Sequence, residues 1–288
     1  MQQAWTIHSL LRWTCQYFHT KGLSAPRLEA EILLARVLEQ DRVYLYVNYN
    51  QPVNQTERLR YKELIKRRAQ GEPIAYIVGY KEFMSLKFKV NDQVLIPRPE
   101  TELLVEGALS LLDSKNPVRI CDIGTGSGAI AVSLAYFRPQ AQIFAVDISA
   151  DALTVAAENA GKYKARIDFR QGDLTDPIIY EKPFDIITAN LPYISTAEYG
   201  RLPAEVKKFE PQLALLSEGD GLEHYRRLIP NAYQQLKAGG YLLFEIGHEQ
   251  GAGALELMQE FAEVQLLKDY SGLDRIIKGR KGFIPHGD

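Results

Sequence analysis

The sequence predicts an α/β protein: a mostly parallel sheet with helices on both faces, preceded by a small helical segment. Three observations predict it. From Val118 onward, short runs of β-branched and aromatic residues alternate with segments of helix length. The first strand-to-helix junction carries Asp122-Ile123-Gly124-Thr125-Gly126-Ser127-Gly128. The N-terminal quarter of the chain repeats its apolar residues at helical rather than strand spacing. At 288 residues the chain exceeds a usual single domain, so a division is expected. It falls into a helical domain over 1–75, a β-hairpin linker over 76–96 and a sheet domain over 97–288.

Taken in order, Ile7, Leu10, Leu11 and Cys15 form one helical stripe, and Leu28, Ile32, Leu33 and Val37 a second. Ser24 stands where a helix cap belongs, before Ala25-Pro26. Thr56 to Gly71 is rich in Arg and Lys, and its basic face reads as solvated helix surface. From Ala75 to Ile96 the period shifts towards two, with Asn91-Asp92 as the turn and Gln93–Ile96 as the returning strand. Pro97-Arg98-Pro99 stiffens the chain before a helix near Glu100. Then come strands at 118–122, 142–147, 167–171, 184–189 and 240–246, with helices at 129–136, 150–161 and 221–236. A helix at 251–261 and strands near 264–267 and 275–278 close the edge as an antiparallel pair, making seven strands.

Composition narrows the function classes. The chain is 46% hydrophobic and 24% charged, which suits a folded core. A net charge of −2 gives no general attraction to phosphate backbones, which argues against a nucleic-acid substrate. Cys15 and Cys121 are the only cysteines, and the five histidines are scattered, so no metal is expected. No signal-like N-terminus and no apolar run approaching about 18 residues is present, so a cytoplasmic protein without membrane contact is expected.

The glycine loop Gly124, Thr125, Gly126, Ser127, Gly128 lets the backbone turn sharply and approach a nucleoside cofactor. With Ala129 behind it, the loop also satisfies a dinucleotide fingerprint, so alone it does not choose between a methyl donor and NAD. Asp147 ends the second strand of this series, where a carboxylate accepts from both ribose hydroxyls. Asp173 is placed to accept from an adenine amino group, with Leu174 against the ring. The tetrapeptide Asn190-Leu191-Pro192-Tyr193 follows the fourth strand, at the sheet edge where open α/β sheets bind ligands. The Asn190 side-chain oxygen and the Leu191 carbonyl supply two acceptors, Pro192 fixes the chain, and Tyr193 offers a flat face. Together they form a slot for a planar NH2 group beside the cofactor. An oxidoreductase would need a hydride-transfer residue in the second half, and no compelling Tyr-x-x-x-Lys or His/Asp pair stands there. A pure binding module leaves the tetrapeptide unexplained. A base amino group in DNA or RNA fits the same slot.

With these residues in hand, the chain resembles the HemK/PrmC family, the N5-glutamine methyltransferases of peptide chain release factors. The resemblance also rests on Ile96-Pro-Arg-Pro-Glu-Thr-Glu102, Phe209-Glu-Pro-Gln-Leu-Ala-Leu215, Gly219-Asp-Gly-Leu-Glu-His-Tyr-Arg226, Phe244-Glu-Ile-Gly247 and Asp269-Tyr-Ser-Gly-Leu-Asp-Arg275. Arg27-Leu-Glu-Ala-Glu-Ile-Leu-Leu34 resembles the family's helical domain. It implies a Rossmann-like class I methyltransferase sheet with S-adenosylmethionine as the methyl donor. It further implies a class-1 release factor as protein partner, with the glutamine of a Gly-Gly-Gln motif as acceptor, and a monomeric enzyme. Glu100 and Thr101 are candidates for steadying the cofactor or the hinge. One residue departs from the pattern: the family usually has proline where this chain has Leu191, so a less rigid loop is expected.

Overall fold

Helix α1 (Ile7–Thr20) begins with a reciprocal cap: Ser9 N–H donates to the Thr6 hydroxyl at 3.2 Å, and Thr6 N–H donates to the Ser9 hydroxyl at 2.8 Å. The computed structural model describes residues 5–112 and 117–283. Helix α2 (Pro26–Leu38) starts from Ala25 without a side-chain cap, so Ser24 does not play that part. Pro26 at the first helical position has no N–H to satisfy and its φ is already helical, which makes a cap less necessary. Asp41 caps α3 (Arg42–Val47), and Asn54 and Glu57 cap α4 (Gln55–Ala69) reciprocally. Residues Ile74–Val78 form a short helix α5, although the extended segment read from sequence begins at Ala75. A five-residue apolar run carries no period that separates helix from strand; Gly79 in the left-handed conformation ends it.

These five helices and the later segment Ala204–Phe209 form one unit, extending to Gly79. Its core is built on Ile7, Leu11, Phe18, Leu33, Leu34 and Tyr61, all essentially inaccessible. Leu28, placed by sequence on the buried stripe, is 41% exposed. The basic face of α4 also departs from expectation. Lys66 and Arg67 are solvated, but Arg68 is buried and forks onto Glu29 of α2, Nε to Oε2 at 2.8 Å and Nη2 to Oε1 at 3.2 Å.

The second unit holds Tyr80–Pro203 and Glu210 onward. It opens with an antiparallel hairpin, β1 (Tyr80–Phe83) and β2 (Leu86–Lys89). The turn is Met84-Ser85, not Asn91-Asp92, and Gln93–Ile96 is not a strand. Both turn residues have positive φ, 49° and 60°, as a tight two-residue turn requires. Neither is a usual turn former, and the Glu102 carboxylate stabilises the bend by accepting the Met84 N–H at 2.7 Å.

A 3₁₀ turn (Pro99–Thr101) and α6 (Glu102–Ser110) lead into the large sheet. Its strands are β3 (Arg119–Ile123), β4 (Gln142–Asp147), β5 (Ile167–Gln171), β6 (Phe184–Ala189), β7 (Leu236–Glu245), β8 (Phe261–Lys268) and β9 (Asp274–Lys281). The intervening helices are α7 (Ala129–Phe137), α8 (Ala150–Lys162), α9 (Thr196–Tyr199), α10 (Ala204–Phe209, of the first unit), α11 (Glu223–Gln235) and α12 (Gly251–Glu256). The order is β5-β4-β3-β6-β7-β9-β8, with β9 antiparallel to both its neighbours and the rest parallel. This is the seven-stranded sheet with an antiparallel edge that the sequence predicts. Because the chain runs outward from β3 to β5 and then returns to β6 on the other side of β3, the order reverses between β3 and β6. That reversal opens a crevice at the carboxyl ends of those strands. No helix of the described residues is long and apolar enough to cross a membrane.

Candidate active site

Ile123, the last residue of β3, pairs with Ala189, the last of β6. The glycine loop and Asn190 therefore leave the sheet side by side, and Asp147 and Asp173 leave from β4 and β5 on the same edge. A cleft of about 280 Å³ opens there. Every sequence-predicted site residue lines it except Gly128, Tyr193 and Glu100.

Gly128 instead closes the junction of two helices. Its φ is +77°, and a Cβ there would stand 3.0 Å from the Ala156 Cβ of α8. Gly124 joins the loop to the tetrapeptide: its φ is +73°, and a Cβ would meet Leu191 Cδ2 at 2.7 Å. Asp147 accepts the N–H of Gly126 at 2.8 Å on one oxygen and that of Ser149 at 2.9 Å on the other. Ser149, not Asp147, caps α8. Each Asp147 oxygen thus keeps a lone pair for a hydroxyl. Burial holds this carboxyl above its usual range, opposed by the Ser149 and Gly126 amides. Asp173 pairs through Oδ2 with Arg227, which leaves Oδ1 as an acceptor, and Leu174 beside it adopts a left-handed φ of 46°. The apolar flank of Ile148 and Leu174 and the hydroxyl-accepting Asp147 fit a nucleoside-bearing methyl donor.

Asn190 is held by groups distant in sequence. Its Nδ2 donates to Glu245 Oε2 at 3.0 Å and to Thr101 Oγ1 at 3.1 Å, while the Thr101 hydroxyl donates to the same Glu245 oxygen at 2.6 Å. The Asn190 side-chain oxygen takes no hydrogen bond among the described residues, so it remains the acceptor. Tyr193 packs beside the core rather than along the cleft, and its hydroxyl donates to Glu245 Oε1 at 3.2 Å. Burial, with the neighbouring Glu245 charge, raises the Tyr193 phenol, which stays protonated. Asp122, at the start of the loop, is buried and its carboxyl is pushed up to about 7, only partly opposed by the hydroxyls of Thr125 and Thr188.

Leu191 is better fixed than its side chain suggests. Its N–H donates to the Tyr225 hydroxyl at 3.1 Å, and that hydroxyl donates to the Glu245 carbonyl at 2.5 Å. A proline at this position has no such donor, so the leucine loop gains through hydrogen bonding what it lacks in ring rigidity. Leu191→Pro is expected to hold the transfer rate within about fivefold while lowering stability by about 1–2 kcal/mol, read by urea unfolding.

Sequence reasoning named no site role for Glu245, Tyr225, Arg98 or Glu210. The Arg98 guanidinium, at the cleft, donates to Glu210 at 2.6 Å, and the second Glu210 oxygen accepts the Ile96 N–H at 3.1 Å. Those residues lie inside the motif blocks quoted above, which supplied the signal without the pairing. Thr101, a weaker candidate, proves to touch Asn190 directly.

A family described as the PrmC N-terminal domain matches residues 9–79, and one described as a methyltransferase domain matches residues 114–274. Among solved structures, a methyltransferase from Pyrococcus furiosus has a TM-score of 0.52 at 17% identity, over 76% of this chain and 98% of that one. A Thermus thermophilus 16S rRNA N2 G1207 methyltransferase has a TM-score of 0.51 at 15% identity, over 70% and 49%. At such identities the likeness establishes the fold. Curated relatives are nearer in sequence. The release factor glutamine methyltransferase of Rhodopirellula baltica is 42% identical over 96% of this chain and 97% of its own length. The protein of the same name from Moorella thermoacetica is 45% identical over 88% and 91%, and that from Bacillus subtilis 40% over 94% and 96%. Identity of this order over nearly the whole length shows that the chain belongs to the release factor glutamine methyltransferase family.

Proposed function

We propose that this enzyme transfers a methyl group from S-adenosylmethionine to the side-chain amide nitrogen of the Gly-Gly-Gln glutamine in class-1 peptide chain release factors. The observation that carries the reading is the Asn190 amide, held with its NH2 against Glu245 and Thr101 so that its oxygen remains to accept an N–H in the cleft shared with the glycine loop. The donor supplies a methyl on positively charged sulfur, which leaves as a neutral thioether. A glutamine amide is a poor nucleophile because its lone pair is delocalised into the carbonyl, so the protein must act by placement and electrostatics. Asn190 Oδ1 and the Leu191 carbonyl accept the two amide hydrogens and aim the nitrogen, with Pro192 fixing the carbonyl and Tyr193 bracing the loop. The methylated nitrogen is strongly acidic and loses its proton to water, so no dedicated base is required.

On the donor side, the glycine loop would admit the backbone to close range, Asp147 would accept the ribose hydroxyls and Asp173 the adenine amino group, and Leu174 would pack on the ring. Asp147→Ala is expected to raise the dissociation constant for S-adenosylmethionine about 100-fold by calorimetry, the loss of two hydrogen bonds to a charged acceptor. An unchanged constant removes Asp147 from this role. The helical domain serves substrate recognition in a monomeric, cytoplasmic enzyme.

The direct test is mass spectrometry of purified release factor incubated with enzyme and donor. One added methyl on the motif glutamine supports the reading. Labelled methyl appearing in nucleic acid instead, in a parallel incubation, overturns it.

A further inference from the structure

One buried residue underlies three of the four tetrapeptide positions. The Glu245 side chain binds Asn190 Nδ2 and the Tyr193 hydroxyl, and its main-chain carbonyl reaches the Leu191 N–H through Tyr225. We propose that Glu245 is a positioning residue for methyl transfer: its ionised carboxylate dictates which end of the Asn190 amide faces the acceptor, and its charge supports the positive charge arising on the acceptor nitrogen. The inference rests on the reaction proposed above.

An ionised carboxylate only accepts hydrogen bonds, so Asn190 must turn Nδ2 towards it and send Oδ1 the other way. Thr101 enforces the same sense, because its hydroxyl donates to Glu245 and accepts from Asn190. A protonated Glu245 can donate to Oδ1 instead. The inverted amide then presents N–H groups to an N–H donor, which it cannot bind. Glu245 is 1% exposed, and a fixed charge so far from water acts more strongly on a neighbouring charge than one at the surface.

The groups facing this network are Thr101, Glu100 and Arg98 from the turn before α6, Asn190 and Tyr193 from the loop, Tyr225 from α11 and Arg275 from β9. Burial raises the Glu245 carboxyl above its ordinary range and Glu100 adds to this, whereas Thr101, Arg275 and Tyr193 oppose it. Protonation therefore begins at a higher pH than for a solvated glutamate. Since the ionised form is the productive one, transfer falls as pH drops through that range.

Glu245→Gln preserves shape and leaves an oxygen for Asn190, which separates charge from packing. Single-turnover transfer to release factor by the full-length variant at pH 8 is expected to fall about 10- to 100-fold, with both dissociation constants within about threefold. The acid limb of the wild-type pH profile is expected to disappear. Burial also raises the Asp122 carboxyl, to about 7, so the comparison between the two proteins is what assigns the limb. A second readout needs no turnover: the two side-chain amide protons of Asn190, assigned by their loss in Asn190→Ala, are well separated and slow to exchange in wild type by ¹⁵N–¹H NMR, and shift and exchange faster in Glu245→Gln.

A wild-type rate and pH profile in Glu245→Gln, or unmoved Asn190 resonances, overturns the inference. Should that variant not fold, Thr101→Val decides: it keeps the carboxylate but removes a bond that favours its ionised form, so the acid limb must move to higher pH, and an unmoved limb overturns the inference. If wild type methylates no release factor, the proposed reaction fails, while the Asn190 resonances still judge Glu245.

Discussion

Asn190→Ala is expected to slow single-turnover methyl transfer about 100- to 1000-fold while leaving the dissociation constant for S-adenosylmethionine within about threefold. The magnitude is that of removing one preorganised polar partner from a water-poor site, where placement supplies most of the rate. Binding changes little because Asp147 leaves β4, on the other side of β3 from Asn190, and the Asn190 side-chain NH2 is turned to Glu245 and Thr101. Asn190→Asp makes a sharper version of the test. It puts a second carboxylate about 3 Å from Glu245, and two such groups do not both ionise at that distance. One of them holds a proton, and the variant is expected to transfer even more slowly than wild type at neutral pH and with an altered pH profile. Rapid-quench transfer and calorimetry of the same samples check both statements. A wild-type rate constant in Asn190→Ala removes the asparagine from the mechanism, whatever its effect on donor affinity.

The parts of the fold that were legible in the sequence are those written locally. The strands 142–147, 167–171 and 184–189 were readable to the residue, the first and last as short, largely apolar runs buried in the sheet, and 167–171, at the sheet edge, by the alternation of Ile167 and Phe169 with polar residues. The glycine loop and the tetrapeptide were readable because a sharp turn and an exposed acceptor each need particular residues at fixed spacing. What could not be read was pairing across the chain. Asn190 meets Glu245 at a separation of 55 residues and Thr101 at 89, and no local pattern encodes either distance. The quoted blocks around Thr101, Tyr225 and Glu245 marked those segments without showing that they converge on one loop. The hairpin was misplaced for a different reason. Met84-Ser85 occupies positive φ without glycine or asparagine, while Asn91-Asp92 carries the usual turn residues and turns no hairpin.

Arg68→Ala is expected to lower the stability of the helical unit by about 3–5 kcal/mol, because it strands the Glu29 carboxylate in a buried setting. Side-chain exposures of 6% for Arg68 and 10% for Glu29 distinguish this pair from the solvated Lys66–Glu63 pair one turn away. Its signal was present in the sequence: Tyr61, Ile65 and Arg68 are the buried residues of α4, at helical spacing, so Arg68 falls on the apolar stripe although it belongs to a basic run. The guanidinium also donates to the Glu72 carbonyl at 3.1 Å and to Glu205 at 2.9 Å, so truncation empties several acceptors at once. The energy of such a pair lies in the cost of breaking it, not in its net contribution. Replacing both partners, as in Arg68→Met with Glu29→Leu, is therefore expected to recover most of the loss. Both tryptophans, Trp5 and Trp13, lie in this unit, so their fluorescence during urea unfolding reports on it separately from the sheet. A double variant as unstable as Arg68→Ala shows that the packing of the long side chain, and not the uncompensated Glu29 charge, is what the single substitution removes.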